Sequence, residues 1–156
     1  AFAMALGYAA LALLIAANAG AWAAGRLLGQ RWAAPLDGRR VWRDGRRLLG
    51  DHKTWRGLAA GVGACTIVGA GFGLGWRLAA AFGLLSLLGD ACSSALKRRL
   101  DSPPGTEYPA LDQLPEALLP LCVLARPLGL DAGDVLAVAA TFLVLDVATS
   151  RFRRRG

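Results

Sequence analysis

The stretch LAAAFGLLSLLGDACSSAL, residues 78–96, decides how this chain is read. It is nearly unbroken apolar sequence, close to the roughly 20 helical residues that cross a hydrocarbon core of about 30 Å. Yet it carries a carboxylate, Asp90, and runs directly into Lys97, Arg98 and Arg99. A carboxylate in hydrocarbon is costly unless it is paired, metal-bound or hydrated. At helical spacing Ser86, Asp90, Ser94 and Lys97 share one face and form a polar stripe on an oily helix. Two readings of Asp90 stay open from the residues alone: an acid satisfied by an Arg or Ser of a neighbouring helix, or a member of a functional site.

Working outward, four more runs of similar character appear at residues 2–22, 57–76, 114–130 and 135–150. The fourth in chain order contains Glu116, Pro120 and Arg126, and the last contains Asp146. The whole chain is 55% hydrophobic with a mean hydropathy of +0.42, too apolar for a soluble domain of 156 residues. The expected fold is all-α: a polytopic membrane protein of five transmembrane helices forming one domain over residues 1–156. The first run lacks a basic leader and is too long for a signal-peptide core, so it is expected to remain as a span. The second is studded with glycines from Gly57 to Gly75, a pattern that lets membrane helices approach closely and predicts a central position.

Two long polar connections, residues 25–56 and 97–113, alternate with two short ones at 76–77 and 131–134. Of the 18 Lys and Arg residues, nine lie in the first long connection, three at Lys97 to Arg99 and four in the C-terminal tail. Only Arg77 and Arg126 fall on the opposite side. The positive-inside rule then puts the N-terminus outside and both long loops and the C-terminus in the cytoplasm. Trp22, Trp55, Trp76 and Tyr108 fall near expected helix ends, at headgroup depth. The net charge of +7 and pI near 10.4 suit nucleic acid as well as anionic lipid in principle. Its placement beside the spans favours the bilayer and excludes nucleic acid as the expected partner.

Three cysteines, Cys65, Cys92 and Cys122, lie in apolar runs without metal-site pairing and read as packing residues. A single histidine, His52, excludes a multi-histidine metal site and supports no Ser/His/Asp triad. Any catalysis must therefore rest on carboxylates and a hard cation such as Mg²⁺. The loop segment DGRRLLGDHKTWRG, residues 44–57, invites comparison with a P-loop, but its lysine falls two residues late for GxxxxGK[ST] and no strand precedes it. What survives is a glycine-rich segment whose Lys53, Thr54 and Arg56 suit a polyphosphate. Farther on, LDQLPE, residues 111–116, places Pro115 at the expected start of the fourth span. Asp112 then either faces Asp90 across the bundle or serves as a helix cap.

Two stretches carry a family resemblance. Residues 44–57 resemble the loop of the CDP-archaeol synthases. SLLGDACSSALKRRL, residues 86–100, followed by LDQLPE, resembles the S-x3-D-x3-S-x2-K-R and LD pattern shared with the related CDP-diacylglycerol synthases. The resemblance implies a Mg²⁺-dependent enzyme of phospholipid biosynthesis that transfers CMP from CTP to a membrane lipid phosphate, releasing pyrophosphate. It implies Asp90, Asp112 and Lys97 as catalytic residues, with Asp90 and Asp112 as metal ligands. It further implies Asp51, Lys53, Thr54 and Arg56 in the CTP site, Ser86 and Ser94 lining it, and Lys97 and Arg98 holding phosphate. The family pattern often has a second acid where this chain has Pro115, so Glu116 stands as the third metal-ligand candidate. The expected location is the cell (inner) membrane with the active site facing the cytoplasm. Oligomeric state, a homodimer included, stays open. The competing readings are a small transporter, for which no inverted repeat is visible, and a noncatalytic protein that binds anionic lipid.

Overall fold

The computed structural model describes residues 2–100 and 108–153, with side chains over 5–100, 108 and 111–149. The described residues are helical apart from loops, turns and two isolated antiparallel bridges, Pro35 with Thr54 and Val41 with Arg47. The helices are α1 (Phe2–Leu28), α2 (Trp55–Gly71), α3 (Trp76–Arg99), α4 (Pro109–Val123), the single turn α5 (Ala125–Leu128) and α6 (Ala132–Arg153). The five long helices close into a ring in which α1 packs on α2, α2 on α3, α3 on α4, α4 on α6 and α6 on α1. Leu13, Leu14, Phe82, Leu121 and Phe142 fill its centre.

Small residues let this ring close tightly. The buried residues of α2 are Gly57, Gly61, Cys65 and Gly69, spaced by four and so confined to one stripe. A Cβ on Gly61 would lie 2.7 Å from the Ala17 carbonyl oxygen, so the α1–α2 approach requires glycine there. Cys65 is buried and its thiol donates to the Leu13 carbonyl at 3.1 Å. Cys92 and Cys122 instead lie exposed on the outer face, and the expectation that all three are packed inside holds only for Cys65.

The element boundaries correct the sequence reading in five places. First, α1 runs to Leu28, six residues past the expected end, because nothing in AAGRLL stops a helix. Second, the α2–α3 connection is at residues 72–75, not 76–77. Gly73 takes φ +73° there, and Trp76 and Arg77 form the first turn of α3. Third, α4 begins at Pro109, with Tyr108 as its N-cap residue, so Pro115 lies inside the helix and Asp112 in the first turn rather than at the cap. Fourth, the expected span 114–130 is broken at Leu124: Pro127 has no N–H for the Val123 carbonyl, and the chain restarts as α5. Helix α6 starts three residues early because Asp131 and Asp134 cap each other's backbone N–H groups at 2.8 and 3.2 Å.

Among the described residues, three helices are long and apolar enough to cross a membrane, over Ala5–Leu28, Trp76–Arg99 and Ala132–Thr149. The other two long helices, α2 with 17 residues and α4 with 15, fall short of that length. Part of the second long connection, 101–107, and the tail arginines 154–155 lie outside the described residues.

Candidate active site

The C-terminal ends of α1 and α3 and the N-terminal ends of α2 and α4 meet at one end of the bundle, where residues 29–54 fold over them. The loop is organised by Asp37, whose side chain is fully buried. Its carboxylate accepts the backbone N–H groups of Arg39, Leu49 and Gly50 at 3.0–3.2 Å. The Arg47 guanidinium adds a two-pronged contact at 3.0 and 3.2 Å. Arg47 holds the Asp37 carboxyl well below the usual carboxylate range against the opposing effect of burial, and the three amides reinforce it.

The same loop is pinned to the end of α3. Arg46 donates to the carbonyls of Arg98 and Arg99, both at 3.2 Å. Arg99 pairs with Asp44, lowering the Asp44 pKa, and lies 5.9 Å from the Trp42 ring centroid. A cation on the last carbonyls of a helix is favourable both as a hydrogen-bond donor and against the helix dipole.

Beneath the loop lies a cavity of about 760 Å³. Asn18, Trp22 and Arg26 of α1 line one wall; Asp51, His52, Lys53 and Thr54 of the loop, with Arg56 of α2, line another; Leu87 and Asp90 of α3 close it. Lys53 reaches across to form an ion pair with Asp90. Thr54 is buried as the N-cap of α2, its Oγ1 accepting the Gly57 N–H at 3.2 Å. Arg56 donates to the carbonyls of Gly29 and Arg31, tying the end of α1 to the start of α2. Asp51 is exposed and pairs with Arg47 at 3.0 Å. Five of the residues singled out from sequence, Asp51, Lys53, Thr54, Arg56 and Asp90, thus border one cavity.

The others do not line it. Lys97 and Asp112 form an ion contact of 2.6 Å across the α3–α4 junction, close but not aligned as a hydrogen bond. Asp112 also accepts the Tyr108 N–H through its second oxygen. Glu116 is buried on the same helix, its Oε1 without a hydrogen-bond partner among the described residues. Helix α4 comes so close to α3 here that a Cβ on Gly89 would collide with the Pro115 carbonyl oxygen and the Glu116 backbone. Glu116 is consequently within electrostatic range of Asp90, Lys53, Asp146 and Asp112. Ser86 is buried one turn before Asp90, its Oγ without a hydrogen-bond partner among the described residues. Ser94 donates back to the Asp90 carbonyl at 3.0 Å, and Arg98 lies against Gly50.

Among the described residues, no three of His, Cys, Asp and Glu gather into a metal-binding group. The donor types nonetheless suit a hard cation. Asp90, Asp112 and Glu116 offer only oxygen, and a buried carboxylate oxygen without a partner asks for a proton or a cation.

Sequence reasoning passed over Asp37, Asn18, Arg26 and Gln113. Asn18 is the one side-chain amide in the first apolar run, a visible signal. Asp37 sits in an Asp-Gly turn signature upstream of the P-loop-like segment. Gln113, buried with an unpartnered Oε1, had no signal beyond its position in LDQLPE.

Comparison with known proteins agrees with this arrangement. Residues 6–78 match the family model CarS-like, CDP-archaeol synthase. The CDP-archaeol synthase of Thermococcus onnurineus is 44% identical over 114 residues, covering 65% of this chain and 66% of that protein. The enzyme of the same name from Pyrococcus furiosus is 35% identical over 112 residues, covering 65% and 67%. The alignments thus span about two thirds of these relatives. A solved structure, described as an intramembrane enzyme for archaeal membrane lipid biosynthesis, superposes with a TM-score of 0.72 at 34% identity, covering 88% of this chain and 90% of that one. The chain is an all-helical membrane protein, and it belongs to the CDP-archaeol synthase family.

Proposed function

We propose that this chain transfers CMP from CTP to the phosphate of a membrane lipid, giving a CDP-lipid and pyrophosphate. The observation that carries the reading is the Lys53–Asp90 pair: a cation from the polyphosphate-suited loop meets the acid of an apolar helix at the floor of a cavity large enough for a nucleotide. The names of the relatives supply the substrate class, CTP and an archaeal-type lipid phosphate.

In this reaction an oxygen of the lipid phosphate attacks the α-phosphorus of CTP, a new P–O bond forms, and the bond to the β-phosphate bridging oxygen breaks. The nucleophile is anionic near neutral pH and needs no strong base. The work is alignment of two polyanions and neutralisation of their charge. Arg26, Lys53 and Arg56 line the cavity and would bind the triphosphate. Lys97, with Arg98 beside it at the end of α3, would take the lipid phosphate. Both lysines exchange their carboxylate partners for phosphate as the substrates enter. Asp90 and Asp112, thereby released, and Glu116 would hold Mg²⁺. When bound, that ion supplies neutralisation of the phosphate charge.

The proposed topology has five spans, with α2 and α4 as short ones, the N-terminus outside and the basic end in the cytoplasm. The charge bias of the loops supports it. CTP then arrives from solution and the lipid phosphate from the adjacent leaflet of the cell membrane. The test is incubation of the purified protein with radiolabelled CTP, Mg²⁺ and phosphatidic or archaetidic acid. Lipid-extractable label is the expected outcome, and its absence with every lipid phosphate tried overturns the reading.

A further inference from the structure

Between Val41 and Arg47 the loop over the cavity turns back on itself as a small hairpin. The Trp42 N–H donates to the Arg46 carbonyl at 2.8 Å and the Gly45 N–H to the Trp42 carbonyl at 3.0 Å. Gly45 takes φ +75°, so WRDGR, residues 42–46, forms the tight turn that closes on a left-handed glycine. The Asp44 carboxylate accepts the Arg46 N–H at 3.0 Å and fixes the tip. This loop lines the cavity up to Arg39 and again from Asp51, so the hairpin stands off it. The tip instead grips the last turn of α3. Arg46 donates to the Arg98 and Arg99 carbonyls, Arg99 pairs with Asp44, and a second Arg99 nitrogen donates to the Arg47 carbonyl at 3.3 Å. Arg98 in turn lies against Gly50, where a Cβ would stand 3.2 Å from its guanidinium. The Gly50 carbonyl accepts the N–H of Lys53 at 3.4 Å.

We propose that the hairpin is a strap that sets the register between the nucleotide-binding loop and the cationic end of α3, making Asp44, Arg46 and Arg99 positioning residues for the transfer. The proposal rests on the cytidylyl-transfer reading given above. On that reading CTP lies against Lys53 and the lipid phosphate against Lys97, two residues from separate segments of chain. The Lys53–Asp90 pair joins those segments in the resting site, but it opens as the substrates enter. The contacts of the hairpin stand clear of that exchange, so they still join the loop to α3 when the two phosphates must lie in line. Alignment acts on the transition state rather than on the binding of either substrate. An ion pair at the surface contributes little to stability. The strap should therefore show itself in kcat and barely in the melting temperature.

The test is a double-mutant cycle on Asp44→Asn and Arg99→Gln in the purified protein, with kcat, both KM values and the melting temperature read for each variant. Each single variant is expected to lower kcat about tenfold, the loss that a misalignment of less than about 1 Å produces. The KM values for CTP and for the lipid phosphate should stay within about twofold, and the melting temperature within about 2 °C. The double variant should lose no more than the more impaired single variant, because each partner acts through the other.

Losses that multiply in the double variant overturn the strap. A lower KM for CTP in Asp44→Asn at unchanged kcat also overturns it, being the mark of a carboxylate that merely repels the nucleotide. A higher KM in Arg99→Gln at unchanged kcat does the same, being the mark of a cation that binds substrate itself. A melting temperature that falls in step with kcat overturns it in favour of a hairpin that only supports the fold. Variants with wild-type kcat overturn the strap alone, whereas wild-type protein that makes no CDP-lipid overturns the underlying reading instead.

Discussion

The loop above the cavity and the α3–α4 junction beside it are both dense in charge, but they treat that charge differently. In the loop each carboxylate is engaged: Asp37 takes five hydrogen bonds, Asp44 pairs with Arg99, and Asp51 pairs with Arg47. At the junction, Ser86, Gln113 and Glu116 each bury an oxygen without a hydrogen-bond partner among the described residues. An unsatisfied buried oxygen weakens a fold and persists where something other than folding requires it. Asp37 and Asp44 thus serve as scaffold for the loop, while on the reading proposed above the oxygens at the junction are offered to a ligand.

This contrast has consequences that substitution can break. The largest is expected for Asp90→Asn, which keeps shape and removes the charge that answers Lys53: CDP-lipid formation should fall about 10³-fold with the protein still monodisperse in detergent. Normal turnover by this variant would remove Asp90 from the chemistry. Glu116→Gln should lower kcat by about 100-fold and leave thermal stability equal or higher, because it withdraws a buried carboxylate that has no partner at Oε1. A large loss of stability instead would make Glu116 part of the scaffold.

Asp37→Asn should show the opposite pattern, with a modest kinetic effect confined to a few-fold rise in the KM for CTP and an apparent melting temperature lower by about 5 °C. Its pH dependence follows from the lowered pKa. The folded carboxyl titrates below its unfolded value of about 3.9, so its contribution is complete above that pH and fades as pH falls toward the folded value. The stability gap between wild type and variant should therefore be constant from neutral pH down to the ordinary carboxylate range and close below it. A gap that stayed constant through acid would mean that Arg47 is not what holds Asp37.

Much of this architecture was legible because its signals are local. Apolar runs, the glycine stripe of α2 and the Asp90 to Arg99 sequence each speak for themselves within twenty residues. Helix α4 misled because it contains three candidate punctuation marks. Pro115 looks like a helix start, but Pro109 already occupies the first turn, and the break comes from Pro127 acting on Val123. The candidate site divides in the same way. Asp51, Lys53, Thr54 and Arg56 are consecutive enough to be noticed together, and they do border one cavity with Asp90. Asp37 escaped because its value depends on residues 47 to 50 folding back onto it, a tertiary fact that no spacing rule announces. The partners of Asp90 and Asp112 were equally hidden, since each lysine comes from a different segment of chain.

Those two lysine–aspartate pairs mean that the resting site carries its own counter-ions. Each pair is neutral as a unit, so the site meets less of the desolvation penalty than four separated ions would. On the reading proposed above, arrival of a polyanion together with a dication would become an exchange of partners in which the lysines turn to phosphate and the carboxylates to the cation. Either ligand alone would strand half of the exchange, which makes the two expected to bind cooperatively.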